Sequence, residues 1–195
     1  VVSREPIAIL GGTFDPVHNA HLAMARRALE GLSARRILWI PTGTPEYRTP
    51  PVASAEDRVA MLKLAISGEP RYALDERELA PGASGYTFDT LTALRAELGS
   101  DTPLVMLIGS DQYEKLDTWH RWRELFDLCR FAVFARPGWK ESAWIGPAEG
   151  VIHVAMAPVP VSASELRERV ARGEDISPFV PEAVARYIRE RRLYR

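Results

Sequence analysis

The chain has 195 residues, 46% hydrophobic and 26% charged, with a net charge of -1 and one cysteine, Cys129. That size and mix suit one α/β domain whose core needs no covalent staple. They exclude an intrachain disulfide and a bulk basic field for duplex nucleic acid, though not a local cationic pocket for a nucleotide.

The opening stretch, VVSREPIAILGG, carries charges at Arg4 and Glu5 beside a short apolar run, which is not the pattern of a secretory signal. No stretch approaches the ~18 apolar residues of a membrane span. The expectation is a cytoplasmic protein that meets neither membrane nor nucleic acid.

In chain order, short apolar runs recur at 6–11, 36–41, 72–78, 103–109, 130–135 and 151–157. Most are nearly continuous, as strands buried on both faces should be. YALDERE (72–78) is the exception; its polar half predicts an edge strand or a strand leaving the sheet. Between the runs lie helical patterns. HLAMARRALEGL places Leu22, Ala25, Leu29 and Leu32 on one face, and SAEDRVAMLKLAI does the same with Val59, Leu62 and Ile66. TFDTLTALRAEL and TWHRWRELFDL read similarly, and the stretch after Pro178 predicts a final amphipathic helix with Val184, Tyr187 and Ile188 inward and its arginines in solvent. Residues 42–55 and 137–150 read as loops. The alternation predicts βαβ units, a mostly parallel sheet with helices on both faces, and a helical portion over 158–195 within a single domain spanning 1–195. Ligands of such sheets bind beyond the carboxyl ends of the strands. Residues 11–21, 109–120 and 158–167 fall there.

The stretch GGTFDPVHNAH (11–21) follows the first strand. It lacks the third glycine of the dinucleotide fingerprint and the Gly-Lys-Ser/Thr of a P-loop. Gly11 and Gly12 allow a tight turn and close approach of a ligand, and Pro16 stiffens the loop. If His18 or Asn19 opens a helix, His18 and His21 share a face at its start. The pair alone is compatible with an incidental helical spacing or with metal ligation, although His120 and His153 are the only other histidines and neither lies in a matching motif. Placed at a helix start after a strand, the pair suits a phosphate whose charge grows in a transition state. A second helix start follows the last strand in PVPVSASELRERV. Ser162-x-x-Glu165 is a capping box, and Ser164 and Arg167 stand within a turn of it. Two such helix starts suggest a polyphosphate clamped from both sides.

With those residues in view, the chain resembles a known family. GGTFDPVHNAHL is similar to the signature of the HxGH nucleotidyltransferases, and VSASELR to their second motif, Ser-x-Ser/Thr-x-x-Arg. SGYTFDTL (84–91), IGSDQYEKLDTWHRWREL (108–125), FAVFARPG (131–138) and PEAVARYIRERRLY (181–194) are similar, in order and spacing, to the bacterial nicotinate mononucleotide adenylyltransferases. The resemblance implies a Rossmann-like nucleotidyltransferase fold. It implies transfer of AMP from ATP to nicotinate mononucleotide, giving deamido-NAD and pyrophosphate in NAD biosynthesis, with Mg²⁺ held mainly through phosphates and water. It also implies roles. His18 and His21 would bind ATP phosphates and stabilise the transition state. Gly11, Gly12, Thr13 and Phe14 would line both nucleotides. Ser162, Ser164 and Arg167 would hold the triphosphate. Tyr86, Thr87, Asp111 and Trp119 would meet the mononucleotide, with Trp119 against the pyridine ring.

The chain departs from the family pattern in three places. Ala20 replaces the usual glycine between the histidines, and Ser110 the usual alanine of Gly-Ala-Asp. Pro45-Glu46-Tyr47-Arg48 stands where Pro-Pro-His-Lys is usual, so Arg48 would supply the cation near the mononucleotide. The alternatives are a nicotinamide mononucleotide or dual-specificity enzyme and, further off, a nucleotide-binding module without catalysis.

Overall fold

The computed structural model describes residues 5–44, 49–135 and 147–195. Six strands, β1 (Ile7–Gly12), β2 (Arg36–Pro41), β3 (Tyr72–Leu74), β4 (Leu104–Gly109), β5 (Arg130–Phe134) and β6 (Val151–Val154), form one sheet. Their order is β3-β2-β1-β4-β5-β6, with every neighbouring pair parallel. The chain builds outward from β1 to β3, then returns to lay β4 on the other side of β1. The connections leaving β1 and β4 therefore diverge and open a crevice at the carboxyl ends of those two strands.

Period-two alternation assigns each strand residue to one of two cores. Ala8 and Leu10 face one side with Val105 and Leu107, where α1 (Asn19–Gly31), α2 (Ala55–Ile66), α6 (Ala163–Ala171) and α7 (Glu182–Arg191) contribute Ala25, Leu62, Leu166 and Ile188. Ile7, Ile9, Met106 and Ile108 face the other, against Leu91 of α3 (Thr87–Leu98), Tyr113 of α4 (Ser110–Tyr113) and Leu125 of α5 (Leu125–Leu128). Helices thus cover both faces. Residues 158–195 carry α6 and α7, which pack into the first core. No described helix is long and apolar enough to cross a membrane.

One sequence expectation is met at the sheet edge and another is modified. YALDERE is a strand only over Tyr72–Leu74, at the sheet edge, and then leaves as a 3₁₀ turn at Arg77–Leu79. Gly43 is what permits that exit, because a Cβ there would stand 2.3 Å from the Glu78 carbonyl oxygen. TWHRWRELFDL is not one helix. It folds as 3₁₀ turns at Leu116–Thr118 and Trp122–Glu124 followed by the short α5. Arg121, left-handed with φ 54°, interrupts the helical geometry. The apolar spacing that reads as a helix face instead buries Leu125 and packs Trp119 and Trp122 against the second core from separate turns.

Candidate active site

The crevice beyond β1 and β4 is a cavity of about 1330 Å³. Its floor is the loop Gly11–Asp15 and the first turn of α1; one wall is Asp111 and Gln112 after β4, and the other is the 158–167 segment.

β1 ends at Gly11 and Gly12, paired with Ile40 and Pro41 of β2. A Cβ on Gly12 would meet the Phe14 ring at 3.2 Å, so the glycine lets that ring fold back over the strand end. Phe14 is 2% exposed, with φ 52°. Its ring packs edge-on against His21, 5.0 Å between centroids, and against Trp39 at 5.6 Å. Expected as a nucleotide-lining residue, Phe14 is mostly a buried wall that fixes the His21 ring.

His18 is the N-cap of α1, and its backbone N–H donates to His21 Nδ1 at 3.2 Å. With Nδ1 accepting, the neutral His21 ring carries its proton on Nε2, an assignment from the hydrogen bond. The two imidazoles stack with centroids 3.7 Å apart. Burial lowers the His18 pKa to about 4, and burial together with His18 holds His21 well below its usual range. Both rings are therefore neutral near pH 7. Nδ1 of His18 is buried without a partner among the described residues.

The helix start is less open to an anion than its sequence implies. The Asn19 amide donates to the Phe179 carbonyl oxygen (2.9 Å), and the Asn19 side chain donates to that of Pro178 (3.1 Å). The His21 amide returns to the His18 carbonyl oxygen at 3.0 Å. Of the three amides over 19–21, that leaves Ala20's, and Ala20, the residue in place of the usual glycine, itself lines the cavity.

Across the cavity, Ser162 caps α6, its Oγ accepting from the Glu165 amide at 3.3 Å. The expected box is half made, because the Glu165 carboxylate turns instead to Arg169, 2.7 Å away. Ser162, Ser164 and Arg167 all line the cavity. Arg167 also donates to the Asp15 carbonyl oxygen at 2.8 Å, so the two phosphate-type motifs, far apart in sequence, are physically joined.

The structure thus brings together Gly11, Gly12, Thr13, Phe14, His18, His21, Asp111, Ser162, Ser164 and Arg167. The carboxylate of Asp111 lies over Gly109, where a Cβ would meet it at 2.8 Å. Tyr86, Thr87 and Trp119 do not line this cavity. The Tyr86 ring instead stacks on His120 at 4.3 Å, and Trp119 is half-buried against the second core. Arg48 lies outside the described residues, as do Pro45, Glu46, Tyr47 and most of the 137–150 loop.

Residues 9–169 match the family model described as cytidylyltransferase-like. Probable nicotinate-nucleotide adenylyltransferases from Laribacter hongkongensis and Chromobacterium violaceum are each 42% identical to the chain, covering 100% and 97% of it and 97% and 98% of their own lengths. The chain belongs to the nicotinate-nucleotide adenylyltransferase family. A Plasmodium falciparum nicotinic acid mononucleotide adenylyltransferase complexed with NaAD shares the fold, with a TM-score of 0.78 at 19% identity and 98% of both chains covered. A second structure of that protein, complexed with APC, gives 0.79 at 18%. The fold is accordingly the Rossmann-like nucleotidyltransferase fold, and the chain is an enzyme of its class.

For a nicotinate-nucleotide adenylyltransferase, the parts that sequence reading left unassigned lie beneath the loop. Arg58 of α2 is 1% exposed and donates from Nη1 to the carbonyl oxygens of Thr13 (2.8 Å) and Thr42 (2.9 Å). The Asp15 carboxylate accepts from the amides of Val52 (2.7 Å) and Ala53 (3.1 Å) and from the Tyr194 hydroxyl (2.7 Å). Burial lowers the Arg58 pKa, opposed by the charge of Asp15, whereas burial and then Asp15 raise that of Tyr194, which stays a neutral donor. Asp15 stands inside the opening motif. Nothing in the local spacing of Arg58 or Tyr194 marks either one.

Proposed function

We propose that this chain transfers AMP from ATP to nicotinate mononucleotide, releasing pyrophosphate and deamido-NAD as a step of NAD biosynthesis. The observation that carries the reaction class is the stacked, neutral His18–His21 pair facing Ser162, Ser164 and Arg167 across one cavity. The acceptor rests on the relatives, whose names carry nicotinate-nucleotide and whose similarity runs the length of the chain.

In this reading the 5′-phosphate of the mononucleotide is the nucleophile and needs no enzyme base at neutral pH. Its oxygen attacks the α-phosphorus in line, the bond to the bridging α–β oxygen breaks, and pyrophosphate leaves with that electron pair. The protein's part is positioning and charge stabilisation. His21 offers Nε2–H and His18 an imidazole at the helix start; both gain charge-assisted strength as negative charge develops on the phosphates. Arg167, Ser162 and Ser164 hold the β- and γ-phosphates. Gly11, Gly12 and Thr13 let the nucleotides approach the backbone. Asp111 meets a ribose, and Tyr86, Thr87 and Trp119 the pyridine end, with Arg48 as a further cation for the mononucleotide. Among the described residues no three His, Cys, Asp or Glu side chains converge on a point. That donor set suits Mg²⁺ arriving on the triphosphate, where it would neutralise phosphate charge.

The test is pyrophosphate release with ATP, Mg²⁺ and nicotinate mononucleotide, run beside nicotinamide mononucleotide. A strong preference for the acid is the expected result. Equal rates would replace it with a dual-specificity enzyme, and no release with either would overturn the reading.

A further inference from the structure

We infer that Tyr194 is a positioning residue for the ATP site, acting through Asp15 to keep Arg167 available to the triphosphate. The inference rests on the function proposed above.

The Asp15 carboxylate is 4% exposed, and a buried carboxylate needs donors. It has three: the Val52 and Ala53 amides and the Tyr194 hydroxyl. Arg167 is close but differently engaged. Its Nη1 bonds the Asp15 carbonyl oxygen at 2.8 Å and stands 3.9 Å from the carboxylate. The phenol and the Ala53 amide hold Oδ1 and the Val52 amide holds Oδ2, so the carboxylate is satisfied without the guanidinium, which stands 3.9 Å from Oδ2 and lines the cavity.

The chain after α7 is shaped to deliver that phenol. Arg192 turns left-handed at φ 53°, and the Leu193 amide returns to the Ile188 carbonyl oxygen at 3.0 Å, closing the helix as a Schellman turn. Tyr194 is itself left-handed, at φ 64°, and 8% exposed. A tyrosine in that conformation costs on the order of the 1–2 kcal/mol usual for left-handed backbone. Such a conformation persists where surrounding contacts over-determine it.

Removing the hydroxyl leaves Asp15 one donor short. The nearest substitute is Arg167 Nη1, which would close on the carboxylate and leave the cavity. The consequence is specific: ATP loses a cation while the mononucleotide end, near Tyr86 and Trp119, is untouched. Tyr187 supplies the control. Its hydroxyl makes a similar bond to Asp57 Oδ1 at 2.8 Å, but from α7 to α2 rather than to the 11–18 loop.

The experiment measures ATP affinity by titration calorimetry, together with turnover, for the wild type, Tyr194→Phe, Tyr187→Phe, Arg167→Ala and the Tyr194→Phe/Arg167→Ala double variant. Tyr194→Phe is expected to weaken ATP on the order of tenfold while the mononucleotide KM moves less than about twofold. Tyr187→Phe should lower the melting temperature alone, and the double variant should bind ATP no worse than Arg167→Ala. Unchanged ATP affinity in Tyr194→Phe, or an additive double variant, overturns the inference. If Tyr194→Phe does not fold, Val52→Pro carries the test: it removes the amide donor at Oδ2, the carboxylate oxygen 3.9 Å from Arg167, so ATP should weaken as in Tyr194→Phe, and unchanged ATP affinity there overturns it equally. ATP binding without adenylyl transfer in the wild type would count against the proposed function, with this inference still decided by the affinities.

Discussion

The neutral histidine pair makes a prediction about acid stability that needs no substrate. His18 is folded with a pKa of about 4 against an ordinary 6.5. As pH falls below 6.5 the unfolded chain takes a proton at this residue and the folded chain does not, so stability is lost from 6.5 downward until the folded ring itself protonates near 4. Each unit of the gap is worth about 1.4 kcal/mol. Between pH 7.5 and 4.5 the His18 contribution is therefore on the order of 2–3 kcal/mol, and His21, shifted the same way, adds to it. His18→Asn removes this titration while keeping a good N-cap. It also removes the neighbouring imidazole that helps depress His21. Urea denaturation of the ligand-free protein over that pH range should show a flatter profile for the variant, the two curves converging or crossing on the acid side. Carboxylates common to both proteins cancel in the comparison. Parallel profiles would refute the claim that the resting site holds His18 neutral by burial.

His21→Ala should lower kcat by about two to three orders of magnitude, the usual loss on removing one transition-state donor; a near-normal kcat would return the pair to a structural role. Arg58→Met should lower stability by about 3 kcal/mol by stranding the Thr13 and Thr42 carbonyl oxygens, read from chemical denaturation, and an unchanged midpoint would contradict the strut. Trp119→Ala should raise the mononucleotide KM more than the ATP KM, and an equal rise in both would argue against a ring contact.

The sheet was legible because its strands are buried on both faces and so appear as continuous apolar runs. YALDERE broke that rule, and it is one of the two edge strands, β6 being the other. The two helix starts were legible because capping and phosphate chemistry are local, needing only Ser162 or His18 and the next turn. The 118–128 stretch was misread for a physical reason: apolar spacing reports which residues are buried, not whether the backbone between them stays helical, and Arg121 takes a left-handed φ that no propensity foretells. The network beneath the loop was illegible because its bonds are long-range. Tyr194 and Asp15 lie 179 residues apart, and Arg58 follows Glu56 and Asp57 on a helix where a charged residue reads as solvent-facing. Its Nη1 is instead spent on two carbonyl oxygens, with the residue 1% exposed.

These features describe a site whose two imidazoles are neutral before substrate arrives, with Arg167 as a standing cation in its wall. Two histidines side by side, if both charged, would repel at a centroid separation of 3.7 Å; burial resolves this by keeping both neutral. Arg58 is turned inward to backbone oxygens, and Arg167 is steadied by the Asp15 carbonyl oxygen. A triphosphate would change the balance on entering, since negative charge favours the protonated form of any imidazole beside it. Electrostatic stabilisation would then strengthen with the charge that develops during transfer. The scaffold must keep the donors in place while they are weakly held, which is the role consistent with Phe14 against His21, Arg58 under Thr13, and Tyr194 on Asp15. Neutral imidazoles and buried struts arranged beside the Arg167 guanidinium are how a chain with a net charge of -1 would offer a polyphosphate site without a bulk basic field.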